Sequence, residues 1–229
     1  MRIPGLAEQV IDLIYPSACA GCGKACVRPV CDTCFIAIVR KGAGPGHERF
    51  EPAAGHSFRD CRAVGDYAGP LKDMVLRLKD SEKRVAGPLA SLMVMAAGND
   101  PDYILPEAVC YVPSTRRKIA RRGYNPAEVL AAGFASRLGL PLIGALRVAR
   151  RVADQDSVPG RQRWANVEGA FSPALGVTLS GNVLLVDDVL TTGATAMECS
   201  RLLLGLGAAS VHVLVATRAV LYKSPDSSF

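Results

Sequence analysis

No stretch of the sequence reaches the roughly 18 uncharged apolar residues of a membrane-spanning helix. The apolar runs Val109–Val112, Val183–Val186 and Val211–Ala216 have the length of strands. A secretory core is missing too, because Glu8 and Asp12 interrupt the apolar pattern of Met1–Tyr15. These absences predict a soluble, cytoplasmic protein. Histidine occurs three times and never in a motif with a Ser or Cys nucleophile, so no hydrolase triad is legible; His212, inside an apolar strand, reads as packed core. Gly23-Lys24 is no nucleotide P-loop, since Ala18 and Ala25 stand where Gly and Ser or Thr are required. Internal repeats of solenoid period are absent. So is low-complexity bias: 49% hydrophobic and 21% charged residues can bury a core. A length of 229 residues suits one α/β domain with a small appendage and is too short for two full-sized enzyme domains.

The formal charge of +6 is unevenly placed. Between Thr115 and Ala165 eleven basic residues face three acidic ones, while the rest of the chain is slightly acidic. Such a local excess points to a polyanion, whether phosphate, pyrophosphate or nucleic acid; a solvated basic face is the plainer alternative.

Five of the eight cysteines, Cys19, Cys22, Cys26, Cys31 and Cys34, fall within sixteen residues. Cys19-x-x-Cys22 and Cys31-x-x-Cys34 form two knuckles whose four thiolates suit a tetrahedral Zn²⁺ site. Disulfides are the rival, disfavoured without a secretory signal. Cys26 supplies a fifth thiol, read as free, and His47 and His56 are further potential substitutes. A closed four-thiolate site leaves no position for substrate, so the metal would be structural and would staple a segment too small to bury its own core.

Pro4 and the spacing of Leu6, Val10, Ile11 and Ile14 predict a helix over 4–14. After the knuckles and the apolar run Phe35–Val39, Lys41–Ser57 reads as a linker rich in Gly and Pro. Strands are then predicted at 62–67, 109–112, 142–149, 183–187 and 211–217, and helices at 71–79, 85–97, 127–138 and 194–206. This alternation implies a parallel sheet covered on both faces. Ala149–Val167 fits neither period and is a candidate lid.

The strongest signal is Val183–Thr195, VLLVDDVLTTGAT. A buried strand ends in Asp187 and Asp188, and the hydroxylated loop Thr191-Thr192-Gly193 opens onto a helix beginning near Ala194. In parallel sheets ligands sit beyond the carboxyl ends of strands. N–H groups that begin a helix can surround a phosphate, with the Thr191, Thr192 and Thr195 hydroxyls as added donors. The two carboxylates suit the vicinal hydroxyls of a ribose. An ordinary Thr cap after a strand is the alternative.

These thirteen residues resemble the phosphoribosyl-pyrophosphate (PRPP) signature of type I phosphoribosyltransferases. The whole chain is similar to the ComF family, through the paired knuckles, Gly69–Lys79 (GPLKDMVLRLK), Val112–Asn125, Gln155, Arg163, Asn166–Phe171 and the loop above. The resemblance implies an α/β phosphoribosyltransferase fold over 59–229, an N-terminal helix and zinc module over 1–40, and a linker over 41–58. It implies that Asp187 and Asp188 contact the ribose and that Thr191, Thr192, Gly193, Ala194 and Thr195 hold the 5′-phosphate. Ser114, Thr115, Arg117, Lys118 and Arg122 would meet pyrophosphate, with Gln155 and Arg163 in the lid and Mg²⁺ accompanying PRPP. Thr115, Pro126 and Pro159-Gly160 depart from the family's usual His, Gln and Ser-Arg. Two functions are implied. One is phosphoribosyl transfer to an unknown acceptor. The other is non-catalytic single-stranded-DNA binding in competence, DNA uptake or utilisation, with Arg116, Arg117, Lys118, Arg121, Arg122, Tyr124 and Trp164 as a groove and the fold sensing a ligand.

Overall fold

The computed structural model describes residues 18–41, 56–98, 105–149 and 167–219. The helix expected over 4–14, most of the linker, and Gln155, Arg163 and Trp164 of the lid lie outside the described residues.

Five strands form a parallel sheet: β1 (Cys61–Asp66), β2 (Ala108–Tyr111), β3 (Leu142–Ile143), β6 (Asn182–Leu190) and β7 (Ser210–Arg218). Their spatial order is β1-β7-β6-β2-β3. A separate antiparallel pair joins β4 (Leu146–Val148) to β5 (Phe171–Pro173). The period-2 alternation of the strands assigns each residue to one of two cores. Val64, Val109, Leu184, Val186, Leu214 and Ala216 point into one, packed against α2 (Gly69–Lys79), α3 (Ala86–Gly98) and α5 (Pro126–Leu138). Ala63, Cys110, Leu185, Val213 and Val215 point into the other, under α6 (Ala194–Gly205). A parallel sheet with helices on both faces, preceded by a four-cysteine cluster, is the class expected from the sequence.

Several elements differ from the sequence expectation, among them β5, which no apolar run announced. The apolar run after the second knuckle is part of helix α1 (Asp32–Lys41), so Cys34 sits in a first helical turn. The run 142–149 is two strands in different sheets, because the chain turns at Gly144-Ala145 and Ala145 N–H bonds Ile143 O at 3.0 Å. A short helix, α4 (Arg116–Arg122), escapes the apolar pattern since Ile119 and Ala120 are its only apolar residues; Thr115 caps it, accepting from Lys118 N–H at 3.3 Å, and Gly123 ends it. Finally, β6 runs past the acids to Leu190, its ladder continued by Val189 opposite Thr217 and Leu190 opposite Arg218 on β7.

His212 is buried as expected, but in polar company. Asp60 Oδ2 lies 3.0 Å from its Nδ1 and Ser210 Oγ 3.2 Å from its Nε2, while Arg62 donates to Asp60 at 3.0 Å. All four residues are under 10% exposed, so the network satisfies groups that water cannot reach.

Candidate active site and metal centre

Helix α5, which comes after β2 and the short α4, and helix α6, which follows β6, pack on opposite faces of the sheet, although the two strands are neighbours. Their loops must therefore diverge and leave a crevice beyond the strand ends. A cleft of about 310 Å³ opens there. One wall is Asp187–Thr191, Gly193, Thr195 and Ala196; the other is Val112–Thr115, Lys118, Arg122 and Asn125. Tyr67 after β1 and Lys79 at the end of α2 complete it, with Phe171 and Val148 from the antiparallel pair.

Asp187 and Asp188 both face this cleft. Asp187 Oδ1 accepts from the Asp188 N–H at 2.8 Å. Burial, then the neighbouring Asp188 charge, push the Asp187 carboxyl up to about 8, against the opposing pull of that hydrogen bond and of Lys79. Asp188 has a cation beside it: Lys79 Nζ stands 3.4 Å from its Oδ2. Downstream, Gly193 is the N-cap of α6 at φ 78°, a left-handed conformation that favours glycine, and a Cβ there would meet nothing within 4 Å. The space beside the loop is open. Thr192 Oγ1 accepts from Ala194 N–H at 3.4 Å, so this hydroxyl supports the helix start.

On the opposite wall Asn125 is 2% exposed and organises the loop after β2. Ser114 Oγ donates to Asn125 Oδ1 at 2.9 Å, and Asn125 Nδ2 donates to Val112 O at 2.9 Å. Arg122 reaches the cleft, and its Nε is buried without a hydrogen-bond partner among the described residues. Of the basic residues anticipated on this side, Lys118 and Arg122 line the cleft, whereas Arg117 is exposed and outside the lining. Thr115 lines it too, its hydroxyl engaged as a cap.

The knuckles converge. The sulfurs of Cys19, Cys22, Cys31 and Cys34 all lie within 4.8 Å of one another. Four thiolates about 2.3 Å from a tetrahedral zinc stand about 3.8 Å apart, and Cys22 Sγ and Cys31 Sγ are separated by 3.8 Å. Cys19 is buried, which opposes ionisation, but N–H groups of Cys31, Cys22 and Gly21 outweigh this and bring the thiol down to about 6. Burial, followed by the facing thiols, moves Cys34 upward. Such a set can hold a metal ion such as zinc. Cys26 and His56 lie outside the four-sulfur group, and His47 is outside the described residues.

Over 223 residues the chain is 34% identical to the DNA utilization protein YhgH of Salmonella typhi, covering 93% of this chain and 96% of that one. It is 30% identical over 210 residues to Competence protein F of Haemophilus influenzae, covering 88% and 90%. The chain belongs to the ComF family. Competence protein ComFC of Streptococcus pneumoniae is 25% identical over 212 residues, covering 92% of this chain and 85% of that one. No family model matches. Among solved structures, the glutamine PRPP amidotransferase of B. subtilis is 24% identical at a TM-score of 0.36, over 60% of this chain and 26% of that one.

For a ComF chain read from sequence, Tyr67, Lys79 and Asn125 are the residues without an assigned role. Lys79 closes the segment GPLKDMVLRLK, and Asn125 precedes a helix as an N-cap does, accepting from Ala127 N–H at 3.2 Å. The motifs were visible, but only the fold brings Lys79 to Asp188. Among the described residues no helix is long and apolar enough to cross a membrane.

Proposed function

We propose that this ComF protein binds PRPP and transfers its phosphoribosyl group to a nucleophilic acceptor with release of pyrophosphate. The observation that carries the reading is the meeting of two unlike walls across one cleft. Twin acids on β6 and the helix-opening glycine loop after it form one wall, and the cationic α4, whose Arg122 Nε has no hydrogen-bond partner among the described residues, lies opposite. The first suits a ribose 5-phosphate, the second the polyanionic leaving group. In the reaction, the acceptor's lone pair bonds to the anomeric carbon as its bond to pyrophosphate breaks, and the bonding electrons depart with pyrophosphate. Asp187 and Asp188 hold the ribose hydroxyls and face the developing positive charge; Lys118 and Arg122 neutralise the departing oxygens. Mg²⁺ would accompany PRPP as part of the substrate and would supply further charge neutralisation. The reaction belongs in the cytoplasm. A pyrophosphate-release assay with PRPP, Mg²⁺ and a panel of bases, amines and oligonucleotides tests the reading; PRPP without detectable affinity would overturn it.

A second reading, single-stranded-DNA binding in DNA utilisation, is favoured by one observation. Arg116, Arg117 and Arg121 are exposed on α4 and outside the cleft, so pyrophosphate does not account for them. The YhgH and Competence protein F relatives carry names of that kind. Tyr124 is no stacking platform, being 9% exposed with its hydroxyl donating to Leu78 O at 2.6 Å. Oligonucleotide affinity that falls steeply with salt supports this reading; none at low salt removes it.

A further inference from the structure

Three successive residues at the end of α2 reach three different parts of the molecule. Arg77 Nη1 donates to Cys19 O at 3.1 Å and Ala20 O at 2.7 Å, two carbonyls of the first knuckle. Leu78 O accepts from Tyr124, the residue before the loop-organising Asn125, at 2.6 Å. Lys79 Nζ faces Asp188 Oδ2 in the cleft at 3.4 Å.

The knuckle also bears on the other end of the same helix. A Cβ on Gly21 would stand 2.9 Å from Cys34 Sγ and 3.2 Å from Pro70 Cβ, so the knuckle, its own fourth sulfur and the first turn of α2 are in close contact. Ala20 and Ile38 of the module share the core cluster of Leu71, Val75 and Leu78. On its far side the Arg77 guanidinium is held by Glu82, with Nε and Nη2 bonds of 3.1 and 2.9 Å. Arg77 is thus pinned to the knuckle on one side and to the chain after α2 on the other.

We propose that α2 couples the metal module to the cleft, with Lys79 as the positioning residue that sets Asp188. A module this small keeps its fold through its metal, so it has two states, loaded and released. In the loaded state the carbonyls of Cys19 and Ala20 are fixed, Arg77 is fixed by them, and the last turn of α2 holds Lys79 against Asp188. On release the carbonyl acceptors are lost, the Arg77 anchor goes with them, and Lys79 no longer defines the acid's position. The sulfurs need not approach the ligand for their state to reach it. Coupling free energy is reciprocal, so a ligand that prefers the ordered acids must raise the affinity for the metal.

The role of Asp188 towards ribose rests on the proposed function; the mechanical coupling does not, and the two are tested apart. On the full-length zinc-loaded protein, amide hydrogen exchange over Val186–Thr195 is measured before and after chelation, without ligand. Faster exchange in this segment after chelation, together with already raised exchange in zinc-retaining Arg77→Met, is the expected result. Cleft exchange in Arg77→Met matching that of the parent overturns the coupling, even if chelation unfolds the apo protein. In the second arm, zinc affinity is measured at equilibrium by competition with a chromogenic chelator, with and without saturating PRPP. Coupling predicts zinc held about fivefold or more tightly in the parent with PRPP and no such gain in Arg77→Met. PRPP that binds by calorimetry yet leaves the zinc affinity unchanged overturns it. If PRPP does not bind at all, the transferase reading falls while the exchange result still decides the coupling. Lys79→Met should displace the pH profile of PRPP affinity upward and Lys79→Arg restore it; a profile unmoved by Lys79→Met would remove Lys79 from its positioning role.

Discussion

Ser114 Oγ donates to Asn125 Oδ1 at 2.9 Å, tying the loop after β2 to the start of α5. The same amide donates to Val112 O and its oxygen accepts from Ala127 N–H, so one buried side chain closes both ends of the loop. The wall opposite the acids is therefore shaped by a hydrogen-bonded side chain, with apolar packing beneath it.

Asn125→Ala should accordingly be costly. It leaves the Val112 carbonyl and Ala127 N–H without their partner, a loss of about 2–3 kcal/mol by analogy with other buried unsatisfied groups. Urea unfolding at equilibrium measures it, and a loss below about 0.5 kcal/mol would show that the loop is held by other contacts. Tyr124→Phe removes a single hydrogen bond, to Leu78 O, and should cost about 1 kcal/mol.

The double substitution Asp187→Asn with Asp188→Asn should abolish PRPP binding while leaving the melting transition cooperative. Isothermal calorimetry decides this, and unchanged affinity would defeat the assignment of these acids to the ribose.

The raised Asp187 carboxyl makes a prediction of definite sign. Ionisation near 4 in the unfolded chain and at about 8 in the fold means that the native state holds the extra proton between those values. Stability from this group then declines as pH rises from about 4 to about 8 and is level beyond. Asp187→Asn removes the dependence, so its stability relative to the parent should increase across that window. Urea midpoints at about pH 5 and about pH 8 provide the comparison; a constant difference would refute the shift.

Lys118→Ala and Arg122→Ala should weaken pyrophosphate binding about tenfold each, as expected for charge-assisted hydrogen bonds, and leave ribose 5-phosphate nearly unaffected. Equal losses for both ligands would move these cations out of the leaving-group wall.

Purified protein should carry about one zinc per chain, read by atomic absorption, and Cys19→Ser should lose it together with thermal stability. Folded, metal-free parent protein would contradict the site.

Local order was largely legible in the sequence. Strand-length apolar runs, amphipathic helices and paired Cys-x-x-Cys spacings declare themselves through neighbours a few residues apart, which is why β2, β6, β7 and α6 and the four clustered cysteines are legible in the sequence. The acids and the Thr-Gly loop were legible for the same reason, being contiguous at the end of one strand. What the chain could not announce is what meets across it. Leu142–Ala149 reads as one strand, yet it forms two, which pair with partners distant in sequence, in separate sheets. The stripe-less α4 is set by a threonine cap and by Gly123. Lys79 and Asp188 are brought together because α2 packs on one face of the sheet with its last residue at the mouth of β6. Spacing encodes the periodicity of single elements; a cation opposite an acid depends on how those elements pack, and that is decided only when two cores are buried at once.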